Sequence, residues 1–149
     1  MTRIFPTAQD AENAFYEALG RADLEAMMAV WAEDDDIICV HPGGPRLAGL
    51  EQVREGWRRI FSGGPGPRPD VSQQLVISGM MTAVHSVQES FTLEDAQGNP
   101  MPVPVIATNV YLRTAAGWRM IAHHASPLPA QQPVQQAGGD ARRSPKTLH

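Results

Sequence analysis

The sequence predicts an α+β fold, with three helices first and a strongly curved antiparallel sheet after them. Three observations carry this. Apolar residues recur at helical spacing as far as Phe61. From Val71 onward the pattern becomes that of strands, in four runs joined by short connections. Helices and strands are therefore segregated along the chain, the mark of an α+β domain. A bent sheet folded over helices leaves a cone-shaped hollow, so the expected architecture is a cone-like α+β barrel.

Each element has a local reason. Thr7 with Asp10 three residues on resembles a capping box, and Ala11, Ala14, Phe15, Ala18 and Leu19 then form an apolar stripe. Gly20 is the expected stop. Asp23 caps a second helix carrying Leu24, Met27, Met28 and Trp31 on one side. The few residues between the two helices make a hairpin. Glu33 to Asp36 is a solvated acidic turn, and Ile37 to His41 reads as a short strand broken by Pro42-Gly43-Gly44-Pro45. A third helix follows Gly49, with Leu50, Val53, Trp57, Ile60 and Phe61 on one side. Residues 62–69, rich in Gly and Pro, are a loop. The four strands are expected over Val71 to Ser78, Met81 to Glu94, Val103 to Thr114 and Trp118 to Ser126. Pro102 and Pro104 belong at a strand start or a free edge, because proline cannot donate to the ladder. The domain spans 7–127. Residues 128–149, rich in Pro, Gln and Gly, are expected to form a disordered tail.

Bulk properties narrow the function. A chain of 149 residues suffices for one domain with a real core. Its net charge of −4 lacks the basic footprint of a nucleic-acid binder. It also has no Lys/Arg-rich amphipathic helix for a membrane surface. Neither nucleic acid nor membrane is an expected partner. Cys39 is the single cysteine, so no intrachain disulfide forms; in Ile37-Ile38-Cys39-Val40 it reads as a small buried apolar residue. Met1 to Pro6 has no signal-type apolar stretch, and no run approaches a membrane span. The expected address is the cytoplasm.

The run Gly117 to Pro127 is the most informative. Strict alternation places Trp118, Met120, Ala122, His124 and Ser126 on one face, and Arg119, Ile121, His123 and Ala125 on the other. If the first face lines the hollow, His124 is a donor or acceptor for a bound carbonyl, and His123 points away. His41, where an apolar strand meets a Pro-Gly turn, is a candidate acid or base at a pocket rim. Asn109 is unusual within a strand and is a candidate donor to an oxyanion. His85 and Glu89 share a face with Ala83, Val87 and Phe91. At ~3.3 Å per residue they are too far apart to pair directly, and they read as exposed polar residues. Phe15, Trp31, Trp57 and Phe61 are core aromatics that also supply a cavity wall. The histidines lack the His-x-x-x-His spacing of zinc hydrolases, so no metal site is expected.

The ordered set of motifs resembles a known group. Ala14 to Leu24 and Val30 to Asp36 are similar to the opening helices of the nuclear-transport-factor-2-like superfamily. Val40-His41-Pro42-Gly43, Leu47-Ala48-Gly49 with the helix through Trp57, Ala107 to Tyr111, and Gly117-Trp118 to Ser126 together resemble its SnoaL-like branch. The resemblance covers roughly residues 8 to 127. It implies a homodimer packed through the open sheet face, and a pocket for a small, largely apolar organic molecule. Phe15, Tyr16, Trp31, Trp57, Phe61 and Trp118 would line that pocket. It is compatible with cofactor-independent isomerisation, cyclisation or dehydration, with His41 as base or acid and His124 or Asn109 polarising the substrate. A non-catalytic dimeric binding or assembly module is the alternative. The ketosteroid-isomerase relatives use a helix-one tyrosine, a carboxylate before a proline and a strand aspartate. The matching positions here hold Phe15, with Tyr16 one step away, His41 and Asn109, so the chain departs from that catalytic set at all three.

Overall fold

The computed structural model describes residues 3–129. The tail expected over 128–149 lies, from residue 130 on, outside the described residues. Thr7 Oγ1 accepts from the Asp10 amide at 3.0 Å and starts α1 (Ala8–Arg21). The helix runs through Gly20 rather than stopping there. Ala22 takes the left-handed cap position at φ 54°. Gly20 instead makes room: a Cβ there would come within 3.0 Å of the Arg68 stem. Asp23 Oδ1 accepts from the Ala26 amide at 3.0 Å and starts α2 (Leu24–Val30).

β1 (Ile38–Val40) and β2 (Arg46–Ala48) form a small antiparallel hairpin. Its turn is closed by the Gly44 amide on the His41 carbonyl at 2.8 Å. The break at 42–45 is where the sequence places it; the short strand beyond it is an addition. α3 (Leu50–Phe61) follows Gly49 as expected. Then come β3 (Asp70–Ser78), β4 (Thr82–Glu94), β5 (Pro100–Thr114) and β6 (Gly117–Pro127). The six strands lie in the order β2-β1-β6-β5-β4-β3. All neighbours are antiparallel except β1 and β6, which are parallel. Pro100, Pro102 and Pro104 pair with β4, whereas β6 joins β5 only from Val105. Among the described residues the prolines thus lie on the stretch of β5 that β6 does not pair with, where only the Leu128 amide reaches the Pro104 carbonyl at 3.1 Å, so their missing N–H costs no ladder bond.

One irregularity decides which histidine faces inward. Pairing steps from Val110 opposite Ala122 to Tyr111 opposite Met120, so Ile121 has no partner. This is a β-bulge, and one extra residue reverses the alternation beyond it. Met120, His123 and Ala125 are all buried on the helix side, while His124 is exposed on the outer side. The expectation that His124 shares the face of Met120 is thereby corrected.

The registers combine into transverse rows. On the inner face, Cys39, His123, Asn109, His85 and Val76 lie side by side across five strands. On the outer face, Ile38, Ala122, Val110, Val84 and Ile77 form the neighbouring row. Helices cover the inner face, and Phe15, Met27, Trp31, Trp57, Tyr111 and Met120 fill the core between.

The chain end is pinned at the start of β6. The Trp118 amide donates to the Phe5 carbonyl at 2.8 Å. Gly117 has φ 96°, and a Cβ on it would lie 2.8 Å from the Phe5 carbonyl oxygen. Gly117→Ala is therefore expected to destabilise the fold by ~1–3 kcal/mol, read by urea denaturation. Wild-type stability in that variant would contradict the contact.

Candidate functional site

The interior holds an unusual density of polar side chains. Glu12, His85, Glu89, Asn109 and His123 are all at most 3% exposed. Buried polar groups persist only when hydrogen-bonded, and these are. α1 supplies Glu12 and Tyr16, one turn apart on the face that meets the sheet. The inner row of the sheet supplies His123, Asn109 and His85; β5 adds Tyr111 and β4 adds Glu89.

Glu12 is the hub. Its Oε2 accepts from Tyr111 Oη at 2.9 Å, from His85 Nδ1 at 3.0 Å and from Asn109 Nδ2 at 3.1 Å. Its Oε1 accepts from Gln74 Nε2 at 2.6 Å. Gln74 reaches inward from the edge strand because β3 carries its own bulge. Ser72 faces Gln88 and Leu75 faces Ser86, which leaves Gln73 and Gln74 opposite one residue, with Gln73 at φ 53°.

Glu89 is the second carboxylate. Tyr16 Oη donates to its Oε2 at 2.6 Å and accepts from Asn109 Nδ2 at 3.0 Å. Burial pushes the Glu89 carboxyl up to about 7, the Tyr16 bond opposes that shift, and the charge of Glu12 adds to it. Burial, with Glu89 alongside, also raises the Tyr16 phenol well above its ordinary value. Glu89 thus titrates near neutrality while Tyr16 keeps its proton.

The sequence-predicted residues fall into three groups. Asn109 and Tyr16 belong to the polar cluster. Both amide hydrogens of Asn109 go to Glu12 and Tyr16, which leaves none for an oxyanion. Phe15, Trp57, Phe61 and His41 pack together beside the cluster. Trp57 meets Phe15 at 5.6 Å, Phe61 at 5.5 Å and His41 at 4.6 Å between ring centroids. His41 is half-buried, and burial lowers its pKa. Its ring stands 6.5 Å from that of His123. Trp31, Trp118 and His124 lie elsewhere. Trp31 is buried where it bridges to Met120, Trp118 is half-buried near Phe5, and His124 is on the outer sheet face.

Sequence reasoning missed Glu12, Gln74, Tyr111 and His123, and read His85 and Glu89 as exposed. The signal for the last two was present. They alternate with Ala83 and Val87, so an apolar face includes them. Glu12 likewise falls on the apolar stripe of α1, one turn before Tyr16. An acid on a buried stripe is costly to fold unless donors meet its oxygens, and that cost is the signal that marks Glu12.

A cleft of about 470 Å3 opens onto the cluster between α1 and the start of β3. Glu12, Tyr16 and Gln74 line it, with exposed Arg68 and Asp70 beside them.

A curved sheet wrapped on three helices, with titratable side chains brought to its inner face, defines a nuclear-transport-factor-2-like cone. Within that superfamily the chain belongs to the SnoaL-like domain family, which matches residues 9–131. A solved structure from Thiobacillus denitrificans is 42% identical, with TM-score 0.77 over 85% of this chain and 99% of that one. It is provisionally described as a calcium/calmodulin-dependent protein kinase type II association domain. A second structure, from Streptomyces avermitilis, is 32% identical, with TM-score 0.71 over 80% of this chain and 92% of that one. It is provisionally described as a dehydratase of the NTF2-like family. The F-box protein SKIP8 of Arabidopsis thaliana is 26% identical over 112 residues. That match takes in 75% of this chain, which spans about half of the curated relative's length, 46%. No helix among the described residues is long and apolar enough to cross a membrane.

The raised Glu89 pKa has a consequence for stability. The folded state holds its proton up to about pH 7, whereas the unfolded chain releases it near 4.5. Between these values the native state binds more protons, so the Glu89 contribution to stability falls as pH rises, and levels off above 7. His123, pushed down to about 3 by burial and the nearby His41 and His124 charges, and His41 act in the opposite sense. Those opposing contributions cancel in a difference. Glu89→Gln is expected to gain on wild type from pH 4.5 to 7 and to hold its gain above, measured by urea denaturation. A pH-independent difference would contradict the assigned shift.

Proposed function

We propose that the chain binds a small polar organic molecule in the α1–β3 cleft and moves a proton on it without a cofactor. Isomerisation and dehydration are the reaction classes that fit. The observation that carries the proposal is the Tyr16–Glu89 pair: a phenol lining the cleft, bonded at 2.6 Å to a carboxyl held at about 7. A group titrating near the working pH is the most effective general acid or base. The Tyr16 hydrogen lies on ionised Glu89; once Glu89 is protonated the bond reverses, the carboxyl giving its proton to Tyr16 Oη as the phenol gives its own to a substrate oxygen, and a substrate proton returned by the same route regenerates the acid. The 32%-identical relative described as a dehydratase supports the dehydration branch. The sequence favours an apolar guest; the polar lining of this cleft favours a polar one.

The chemistry is assigned to Glu89 rather than His41 because His41 packs on Trp57 and does not line the cleft. Small hydroxy-carbonyl compounds, screened for loss of water or double-bond migration by absorbance, supply the assay. Glu89→Gln is expected to lower turnover by ~10²–10⁴-fold with the fold intact, and His41→Ala to leave most of it. Turnover lost in His41→Ala and kept in Glu89→Gln would move the chemistry to the aromatic side.

The outer face favours a second property, pairing with another copy of this chain. The row Ile38, Ala122, Val110, Val84 and Ile77 crosses five strands with no helix over it among the described residues, and Ile77 is 70% exposed. The adjacent row of Val40, His124, Thr108, Ser86 and Leu75 carries no Asp, Glu, Lys or Arg, and Leu75 is 72% exposed. Uncharged apolar patches of this kind are the usual core of an interface, and the 42%-identical relative is described as an association domain. Wild type is expected to sediment as a dimer and Val110→Glu as a folded monomer. A monomeric wild type would contradict the pairing.

A further inference from the structure

His123 has no part in the proton transfer proposed above, yet its surroundings fix its chemistry. Glu12 sets the first constraint. A carboxylate only accepts hydrogen bonds, so the Asn109 atom 3.1 Å from Glu12 Oε2 is the amide nitrogen. The same nitrogen donates to Tyr16 Oη, whose own hydrogen is committed to Glu89. Asn109 therefore has one orientation, with Oδ1 turned to the other neighbour in its row. That neighbour is His123, whose Nδ1 lies 2.6 Å from Asn109 Oδ1. A carbonyl oxygen has no hydrogen to give, so His123 Nδ1 carries one.

We infer that Asn109 is a positioning residue that locks His123 as the Nδ1–H tautomer, presenting its Nε2 lone pair as a preset hydrogen-bond acceptor. The wall around it is aromatic: the His123 ring centroid lies 4.9 Å from Phe15, 6.2 Å from Trp57 and 6.5 Å from His41. The Trp57 indole N–H is buried there without a hydrogen-bond partner among the described residues. Groups that suit Nε2 are donors, such as a hydroxyl, an amide N–H or an ammonium. A carbonyl does not suit it. The titratable groups around it are Cys39 and His41 from the β1 side, His124 on its own strand, and Glu12 and Tyr16 of α1, which reach it only through Asn109; burial, His41 and His124 lower its pKa. Burial and the two imidazole neighbours keep the ring neutral, so the tautomer persists through the physiological range.

The inference does not depend on the cleft or on turnover. It is tested on the full chain with ¹⁵N-labelled histidine, by long-range proton–nitrogen correlation between pH 5 and 7.5. Assignment is by single His→Gln variants. The expected result is that His123 carries its proton on Nδ1, with Nε2 resonating as an unprotonated ring nitrogen at every pH. A His123 found as the Nε2–H tautomer, as an even mixture or as a cation at pH 6 would overturn the lock. Asn109→Leu supplies the second arm. It removes the carbonyl oxygen that Nδ1–H is bonded to and puts no acceptor in its place. The Nε2–H form is then expected to appear in the folded variant. An unchanged tautomer in folded Asn109→Leu would show that Asn109 does not set it. A purely structural role for these residues would alter stability and leave the ring tautomer alone.

Discussion

The carboxylate of Glu12, enclosed between α1 and the sheet, is the constraint from which the interior follows. A buried acid is expensive unless its lone pairs are met. Here four donors from three strands meet them: Gln74 on β3, His85 on β4, and Asn109 and Tyr111 on β5. Together they fix how far along α1 lies and which way it is turned. Apolar packing alone is more forgiving, because a helix stripe of Ala8, Ala11, Phe15 and Ala18 can slide against a sheet with little change in buried area. A shared carboxylate with four directional bonds cannot.

That geometry also separates the two ends of the cluster. Donation runs one way, from His123 to Asn109 and from Asn109 to Tyr16 and Glu12, and Tyr16 then donates to Glu89. At one end sits a carboxyl titrating near 7 that reaches the cleft through a phenol. At the other sits a neutral imidazole among aromatic rings. Two groups of opposite chemical character are held apart by one amide and one phenol, and each owes its protonation state mostly to burial. Low dielectric strengthens each bond of such a network and raises the cost of any member left alone.

Much of the fold was legible because it rests on local chemistry. The Thr7 and Asp23 caps, the helix after Gly49, the glycine- and proline-rich loop at 62–69 and the four long strands all follow from spacing and turn residues. β2 was hidden because three residues between a Pro-Gly turn and a helix carry too little pattern. Gly20 reads as a helix stop, but its absent Cβ serves the Arg68 stem, a contact 48 positions distant that no local rule sees. The site was legible only in part. Asn109 stood out as an amide in a strand, and Phe15, Trp57, Phe61 and His41 do assemble. The choice between His123 and His124 turned on the bulge at Ile121, whose sequence is an ordinary apolar run. Glu12 lies on the apolar stripe of α1, but the four donors that make its burial tolerable come from strands at least 62 residues away.

The most direct measurement is a double-mutant cycle between Glu12→Met and Tyr111→Phe, read by urea denaturation at pH 7.5. Each side chain is the other's partner at 2.9 Å. If Glu12 organises the interior, the two losses are non-additive, with a coupling of about 1–3 kcal/mol. Additive losses would mean that the carboxylate and the phenol merely sit close together, and that the helix is set against the sheet by its apolar stripe alone.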